Sequence, residues 1–214
     1  MATLLLPHMQ AETLAVGLDV DGVLRDTAYN AYTACCKTVE ELGGTAPSFN
    51  DFVHGYESDF HAYYRQCGVQ DVERVYPVFL RHVGAPDDAA PFPDVNDFLS
   101  HLQHLGLKVF AVSSHPTKQL HEWFIAHGID DHMLCIYGGS RDKRACIQNA
   151  CKDIGVDPQS ACYVGDWGLD MRAAKAVGLL PIGITRGYAS RAGLTARGAA
   201  HVVEHLHELV GLFR

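Results

Sequence analysis

Short apolar runs alternate with helix-like periods along the chain. Five apolar runs predict buried parallel strands, at residues 14–20, 108–112, 132–137, 161–164 and 180–184. Apolar residues recur with a 3.6-residue period over 95–105 and over 147–154, and each of these stretches ends at a glycine, as helices commonly do. This alternation predicts an α/β fold with a doubly wound, Rossmann-like parallel sheet.

One connection is far longer than a simple crossover needs. The segment between the first and second predicted strands has a helical pattern, is rich in Tyr, Phe and His over residues 28–90, and ends in a Pro- and Ala-rich linker. We therefore predict a core domain formed by residues 1–27 and 91–214 and a helical cap domain at 28–90. Ligands of such sheets bind beyond the carboxyl ends of the strands, so the insertion is expected to cover the site.

Polar side chains stand where four of the predicted strands end. They are Asp19 and Asp21, Ser113 and Ser114, Lys143, and Asp166 and Asp170. Four carboxylates at one sheet edge repel each other unless a cation lies among them, and Mg²⁺ prefers carboxylate, water and phosphate oxygens as ligands. With a lysine and a serine hydroxyl to hold phosphate oxygens, the set predicts phosphoryl transfer through a carboxylate nucleophile.

Each of these motifs alone also fits an ordinary structural role. Aspartates at strand ends often cap a helix or turn the chain, and Ser113 and Ser114 also fit a turn before Pro116. Lys143 fits a solvated position at a helix start, with Asp142 as its cap. The order of the motifs after successive strands favours the functional interpretation.

The same motifs give the chain a close resemblance to the haloacid dehalogenase-like hydrolases. The matching segments are residues 19–27 (DVDGVLRDT), 92–95, 109–113, 165–170 and 183–188, together with Lys143. The chain is most similar to the phosphoglycolate-phosphatase-like branch, which has a helical cap inserted after the first motif.

This resemblance implies a role for each residue that reacts. Asp19 would be the nucleophile and a metal ligand. Asp21 would be the general acid and base, with its backbone carbonyl on the metal, and Lys143 would neutralise the charge of the nucleophile and the phosphate. An acid at the position of Asp21 is typical of phosphate-ester hydrolases and phosphomutases and is absent from dehalogenases.

The resemblance also implies the phosphate and metal contacts. Ser113 would bind the phosphoryl group with help from the backbone N–H of Ser114, which stands where relatives commonly have Asn. Asp166 would ligate the metal, and Asp170 would support it directly or through water. Trp167 departs from the small or polar residue usual there, and it fits a wall of the leaving-group pocket as well as packing beneath the cap.

Substrate choice in this branch comes largely from the cap. By the resemblance of its glycine, the loop at 52–57 is the candidate specificity loop, and the candidate contacts are His54, Gly55, Tyr56, Arg65 and Trp167. The alternative that we favour for Tyr56, Tyr63 and Tyr64 is that they form the core of the cap itself or its interface. Arg25 is expected to be a solvated hinge residue.

Composition excludes several classes of function. A net charge of -8 argues against nucleic-acid binding and against an electrostatic membrane anchor, and no apolar run has the ~18 residues of a membrane span. The N-terminus lacks the features of a signal peptide. The seven cysteines form no Cys-x-x-Cys pair, which indicates a reducing, cytoplasmic setting, and the thirteen histidines show no familiar zinc spacing.

The sequence thus predicts a Mg²⁺-dependent phosphatase. Its substrate would be a small phosphorylated metabolite, either phosphoglycolate-like or a sugar phosphate, cleaved through an aspartyl-phosphate intermediate. A phosphomutase with the same core is the alternative enzyme, and a phospho-accepting regulatory module is the alternative from another class. We expect a monomer or a homodimer.

Overall fold

A six-stranded parallel sheet organises the larger part of the molecule, and the computed structural model describes residues 13–55, 60–83 and 89–213. The strand order is β3-β2-β1-β4-β5-β6. The strands are β1 Ala15–Leu18, β2 Lys108–Val112, β3 Cys135–Tyr137, β4 Ala161–Gly165, β5 Leu180–Ile184 and β6 His201–Val203.

Nine helices are found in the described ranges of the chain. They are α1 Ala28–Glu41, α2 Phe49–Gly55, α3 Phe60–Gln66, α4 Val75–Val83, α5 Val95–His104, α6 Thr117–Ala126, α7 Arg144–Asp153, α8 Gly168–Val177 and α9 Arg191–Ala196. Short 3-10 helices lie at Val72–Arg74, Asp130–His132, Pro158–Ser160 and Leu206–Leu212. Among the described residues, no helix combines the length and the apolar character that crossing a bilayer would require.

The sheet is buried on both faces, as a parallel sheet between helices must be. All four residues of β1 are buried, and β1 is hydrogen-bonded to β2 on one side and β4 on the other. One apolar cluster packs α5 and α6 against the first face, with Phe98 and Phe124 at its centre. A second cluster packs α7 and α8 against the opposite face. These layers confirm the predicted doubly wound fold.

Three strands differ from the predictions by more than one residue; one is β1, which covers only Ala15–Leu18 of the predicted 14–20. The sixth strand, His201–Val203, was not predicted, because its residues are only partly buried at the sheet edge and lack a continuous apolar run. The third strand is shorter than the predicted 132–137, because residues 130–132 form a turn of 3-10 helix before it. The differences at β3 and β6 lie at the two edges of the sheet.

Helices α1–α4 form a separate apolar cluster between β1 and α5; we call this segment the helical insert. Its buried residues include Cys35, Val39 and Phe52 together with Tyr63 and Tyr64. The prediction that the latter two tyrosines form the core of this segment is confirmed, whereas Tyr56 lies outside the described residues.

The two linkers of the helical insert run side by side. The Phe92 N–H donates to the Leu24 carbonyl at 2.9 Å, and the Asp26 N–H donates to the Ala90 carbonyl at 3.4 Å. Trp123 of α6 adds a hydrogen bond from its indole N–H to the Ala89 carbonyl at 2.8 Å. The insert therefore leaves and rejoins the sheet domain at one point, next to the end of β1.

Candidate active site

A cavity of about 390 Å³ lies between the carboxyl ends of the strands and the helical insert. The predicted residues at the strand ends contribute charged side chains to it, namely Asp19, Asp21, Lys143, Asp166 and Asp170. The insert contributes an apolar wall, formed by Ala31, Phe60, Tyr76, Phe79, Leu80 and Val83. The predicted strand-end residues therefore come together, with the insert facing them.

Asp19 stands where β1 ends, one residue beyond the strand. Its N–H continues the ladder by donating to the Val164 carbonyl at 2.9 Å, which fixes the backbone. Its carboxylate is only 5% exposed; one oxygen accepts from the Val20 N–H at 2.7 Å and the other lies 2.7 Å from Lys143 Nζ. This carboxylate is held rigidly with one oxygen beside a cation.

Lys143 connects two of the acids. It precedes the first residue of α7, is 7% exposed, and places its ammonium 2.7 Å from both Asp19 Oδ2 and Asp170 Oδ1. Burial alone would lower the pKa of Lys143, but the two carboxylates outweigh it and hold the pKa well above its ordinary value. The alternative of a solvated lysine is thereby excluded, and Asp142 instead pairs with exposed Arg144.

Asp166 directly follows β4, and Asp170 lies in the first turn of α8. Asp170 is fully buried and accepts the Trp167 N–H at 3.1 Å, closing the first turn of the helix. Asp166 accepts the Tyr188 N–H at 2.8 Å on one oxygen, while its other oxygen is buried without a hydrogen-bond partner among the described residues. A Cβ at Gly187 would overlap the Asp166 carboxylate, so this backbone must be glycine to approach so closely.

The buried acids outnumber the cations beside them, and the pKa values of Asp19 and Asp166 are raised. Burial raises the pKa of Asp19 to about 7, although Lys143 acts in the opposite direction. Burial, followed by the charges of Asp19 and Asp170, raises the pKa of Asp166 well above its usual range. Ionised together, these carboxylates need positive charge beyond that of Lys143.

This donor set fits a hard divalent cation. Asp19, Asp166 and Asp170 each present a carboxylate oxygen, and these oxygens lie within 4.8 Å of one another. The unpartnered oxygen of Asp166 is one of the atoms that a cation would satisfy. Oxygen-only ligands suit Mg²⁺ rather than zinc, and among the described residues no group of histidines and cysteines makes a comparable cluster.

Asp21 also faces the cavity, but it is held by other partners. Arg25 Nε lies 2.8 Å from Asp21 Oδ1, while the Ser113 hydroxyl donates to Oδ2 at 3.2 Å and His115 Nε2 lies 3.4 Å from that oxygen. Burial alone would raise the pKa of Asp21, yet Arg25, His115 and Lys143 together lower it. The resting carboxylate is therefore ionised.

The expectation that Arg25 is solvated is wrong. Arg25 is 1% exposed, its backbone bridges Asp21 and Pro91, and its guanidinium lies 5.3 Å from the centre of the Trp123 ring. The ion pair with Asp21 and the contact with Trp123 both offset part of the cost of burying this charge. No local pattern indicates this environment, because Trp123 lies far from Arg25 in the sequence and meets it only in the fold.

The two serines after β2 occupy different environments. Ser113 is fully buried, and its hydroxyl accepts the His115 N–H at 3.1 Å while donating to Asp21. Ser114 is exposed and lines the cavity. Ser113 thus shares a hydrogen-bond network with Asp21, and Ser114 is the serine that meets the open space.

The predicted specificity residues are only partly at the cavity. Trp167 lines it, whereas Arg65 is exposed on α3 and lies away from it. Gly55 ends α2, where a Cβ would collide with the Tyr63 ring, so packing accounts for this glycine. Tyr56 and the side chain of His54 lie outside the described residues, and their assignments stay predictions.

Two further side chains line the cavity that the sequence did not single out. His115 directly follows the serine pair, and Arg141 precedes Lys143 by two residues. Their closeness to motif residues was the available signal. Neither position follows from the strand pattern alone, because both belong to loops whose course depends on the folded sheet.

Comparison with known proteins places these features in a family. A family model described as haloacid dehalogenase-like hydrolase matches residues 17–184. The phosphoglycolate phosphatase of Chromobacterium violaceum is 25% identical over 92% of this chain and 96% of its own, and the plasmid-encoded one of Cupriavidus necator is 26% identical over 99% and 96%. A haloacid dehalogenase-like hydrolase structure from Streptococcus pneumoniae superposes with a TM-score of 0.80 at 22% identity, covering 94% of this chain and 98% of that one.

The chain therefore belongs to the haloacid dehalogenase-like hydrolases. The family and branch predicted from the sequence are confirmed, and the relatives support its identification as a phosphatase. The similar fold of the Streptococcus pneumoniae hydrolase extends over nearly the whole chain, including the helical insert.

Proposed function

We propose that this haloacid dehalogenase-like hydrolase is a Mg²⁺-dependent phosphatase that cleaves a small phosphorylated metabolite through an aspartyl-phosphate on Asp19. The supporting observation is the Asp19 carboxylate, buried at the inner end of the cavity, with one oxygen 2.7 Å from Lys143 and with two further acids beside it. A nucleophile must reach an electrophile while its own charge is stabilised, and this arrangement allows both.

In the first step, a carboxylate oxygen of Asp19 attacks phosphorus and the bond to the ester oxygen breaks. Lys143 stabilises the negative charge that passes from the carboxylate to the phosphoryl oxygens. The N–H groups near Ser114 and its hydroxyl at the cavity surface are the proposed contacts for the phosphoryl group, with Ser113 orienting Asp21.

Asp21 would handle the protons. The departing alkoxide needs a proton, and the water that later attacks the aspartyl-phosphate must give one up to the same group. Because Asp21 rests ionised against Arg25, it is ready to act as the base. To act as the acid it must first take up a proton and give up its ion pair with Arg25.

Asp19, Asp166 and Asp170, with the Asp21 backbone carbonyl, are the proposed metal contacts. Mg²⁺ bound there would neutralise charge on the phosphoryl group and on the carboxylates. Asp166 has the oxygen without a partner, and burial raises its pKa, so this side chain gains most from a cation.

The helical insert, residues 28–90, would act as a cap domain. Its apolar wall faces the acids across the cavity, so it limits access of water and selects the leaving group. Its linkers lie side by side next to Arg25, at the point where a hinge would allow it to open.

Phosphate release from a panel of phosphate monoesters, with Mg²⁺ and with a chelator, tests the proposal. We expect release that requires the metal, is lost in Asp19→Asn, and persists in Asp142→Asn, a matched change at an exposed aspartate next to Lys143. Release unaffected by the chelator or by Asp19→Asn would contradict it. Isomerisation of a sugar phosphate without free phosphate would instead identify a phosphomutase.

A further inference from the structure

The cavity contains a guanidinium that the proposed chemistry does not use. Arg141 lies in the loop between β3 and α7, is half-buried, and lines the cavity. It forms no ion pair or hydrogen bond with any side chain in the part of the chain that the structure describes. Nearby Asp142 is already paired with Arg144 at 2.5 Å.

Aromatic rings hold this guanidinium in place. Its Cζ lies 4.7 Å from the centre of the Phe60 ring, 5.5 Å from Tyr76 and 5.7 Å from Trp167. Such stacking orients the planar group and leaves its N–H donors at the edge, where they remain able to bind a ligand. Two of the rings belong to the helical insert and one follows Asp166, so Arg141 lies at the junction of the two walls.

The rest of this wall is apolar. Phe79, Leu80 and Val83 offer no hydrogen-bond donors from their side chains, and about 390 Å³ is within the range of pockets that enclose a ring-sized ligand. A very small, strongly polar leaving group would leave much of this apolar surface in contact with water. An apolar body with one charged end matches the surface better.

We propose that Arg141 and the rings of Phe60, Tyr76 and Trp167 form a leaving-group subsite for phosphate monoesters that have an apolar or aromatic body and a second anionic group at its far end. This rests on the proposed phosphatase function. The first phosphate binds at Asp19 and Lys143, the body lies along the insert, and the second anion, a carboxylate or a phosphate, pairs with Arg141. A guanidinium binds either anion in bidentate fashion.

Three esters with the same leaving oxygen test the subsite: benzyl phosphate and its 4-carboxy and 4-phosphono derivatives. The anionic esters are the 4-carboxy and 4-phosphono derivatives, which have a second anionic group. We expect them to have a higher kcat/KM than benzyl phosphate, mainly through a lower KM. Arg141→Gln should abolish that preference, lowering kcat/KM by about 10- to 100-fold for the anionic esters only. Arg141→Lys should restore it in part, and Arg144→Gln, at an exposed neighbour, should leave it unchanged.

The possible outcomes separate the explanations. Preference for the carboxylated or the phosphonylated ester that disappears in Arg141→Gln supports the subsite and identifies its anion. An equal loss for all three esters would show that Arg141 only joins the insert to the sheet domain, and would overturn the proposal. A preference for 2-phosphoglycolate that the Arg141→Gln variant retains would overturn the proposal as well. Absence of Mg²⁺-dependent release from every ester would instead refute the phosphatase function itself.

Discussion

The sheet domain and the helical insert both have apolar cores, but they differ in the charged side chains that they bury. At the strand ends the sheet domain buries Asp19, Arg25, Lys143, Asp166 and Asp170. Among its described residues the insert buries no charged side chain, and its core is aromatic and aliphatic. Charges withdrawn from water cost stability unless they are paired, whereas apolar packing supplies it. The comparison indicates that buried charges lower the stability of the sheet domain at its strand ends, whereas apolar packing stabilises the insert throughout.

The largest expected effect comes from changing Asp19, the proposed nucleophile. Asp19→Asn should reduce phosphate release by on the order of 10⁴–10⁶-fold, because an amide does not accept the phosphoryl group. Since burial raises the pKa of Asp19 to about 7, a neutral amide should leave the thermal midpoint unchanged or higher. Steady-state kinetics check the loss of phosphate release, and thermal melting checks the midpoint. A variant that retains substantial turnover would remove Asp19 from its proposed role.

Asp21→Asn should have the next largest effect and should depend on the leaving group. Loss of general acid–base catalysis costs about 10²–10⁴-fold. An aryl phosphate has a better leaving group than an alkyl phosphate, so it should lose less. The ratio of the two kcat/KM values, measured in the same variant, is independent of any change in stability. Equal losses would show that Asp21 serves only to pair with Arg25.

In the helical insert, Phe52→Ala should lower the stability of the protein while turnover persists. Phe52 is fully buried and meets the rings of Tyr32, Tyr63 and Tyr188. Removing it should lower the free energy of unfolding by about 3–5 kcal/mol through the cavity that it leaves. Denaturant unfolding checks this value, with Phe52→Leu as the milder control. Turnover of an aryl phosphate should persist at temperatures where the variant is folded, and its complete loss there would show that the insert contributes to the chemical step.

Asp166→Asn should have the smallest effect of the four substitutions, and we expect that effect to be a gain in stability. The folded-state pKa of Asp166 lies above its unfolded value, so ionisation opposes folding and the metal-free protein loses stability as pH rises through that interval. The variant should gain about 0.5–2 kcal/mol in free energy of unfolding, more at pH 8 than at pH 5. We expect Mg²⁺ to raise the thermal midpoint of the wild type but not of this variant, and Asp142→Asn should change neither property. A less stable variant at pH 8 would refute the cost assigned to this charge.

The strand-end residues were predictable because two simple patterns coincide there. Continuous apolar runs mark the buried strands, and the polar residues that end them must meet at one edge of a parallel sheet. Asp19, Lys143, Asp166 and Asp170 do meet within hydrogen-bond or metal-ligand distance. The pattern did not show β6, whose residues are partly exposed at the edge.

The second layer of the site was not predictable in this way. Arg25 was expected in solvent because its neighbours in sequence do not reveal the stacking on Trp123, a residue nearly a hundred positions away. Arg141 is ordered by rings from α3, α4 and the loop after β4. Such long-range contacts depend on how the insert packs on the sheet domain, and no local spacing encodes that.

Trapping the covalent intermediate tests the central claim most directly. During turnover of an ester that the enzyme cleaves, Asp21→Asn should be quenched in acid and reduced with borohydride, which converts an acyl phosphate into an alcohol. We predict that peptide mapping finds homoserine at position 19, dependent on both substrate and Mg²⁺. The same label at Asp166 or Asp170, or phosphate release with no residue modified, would contradict the account.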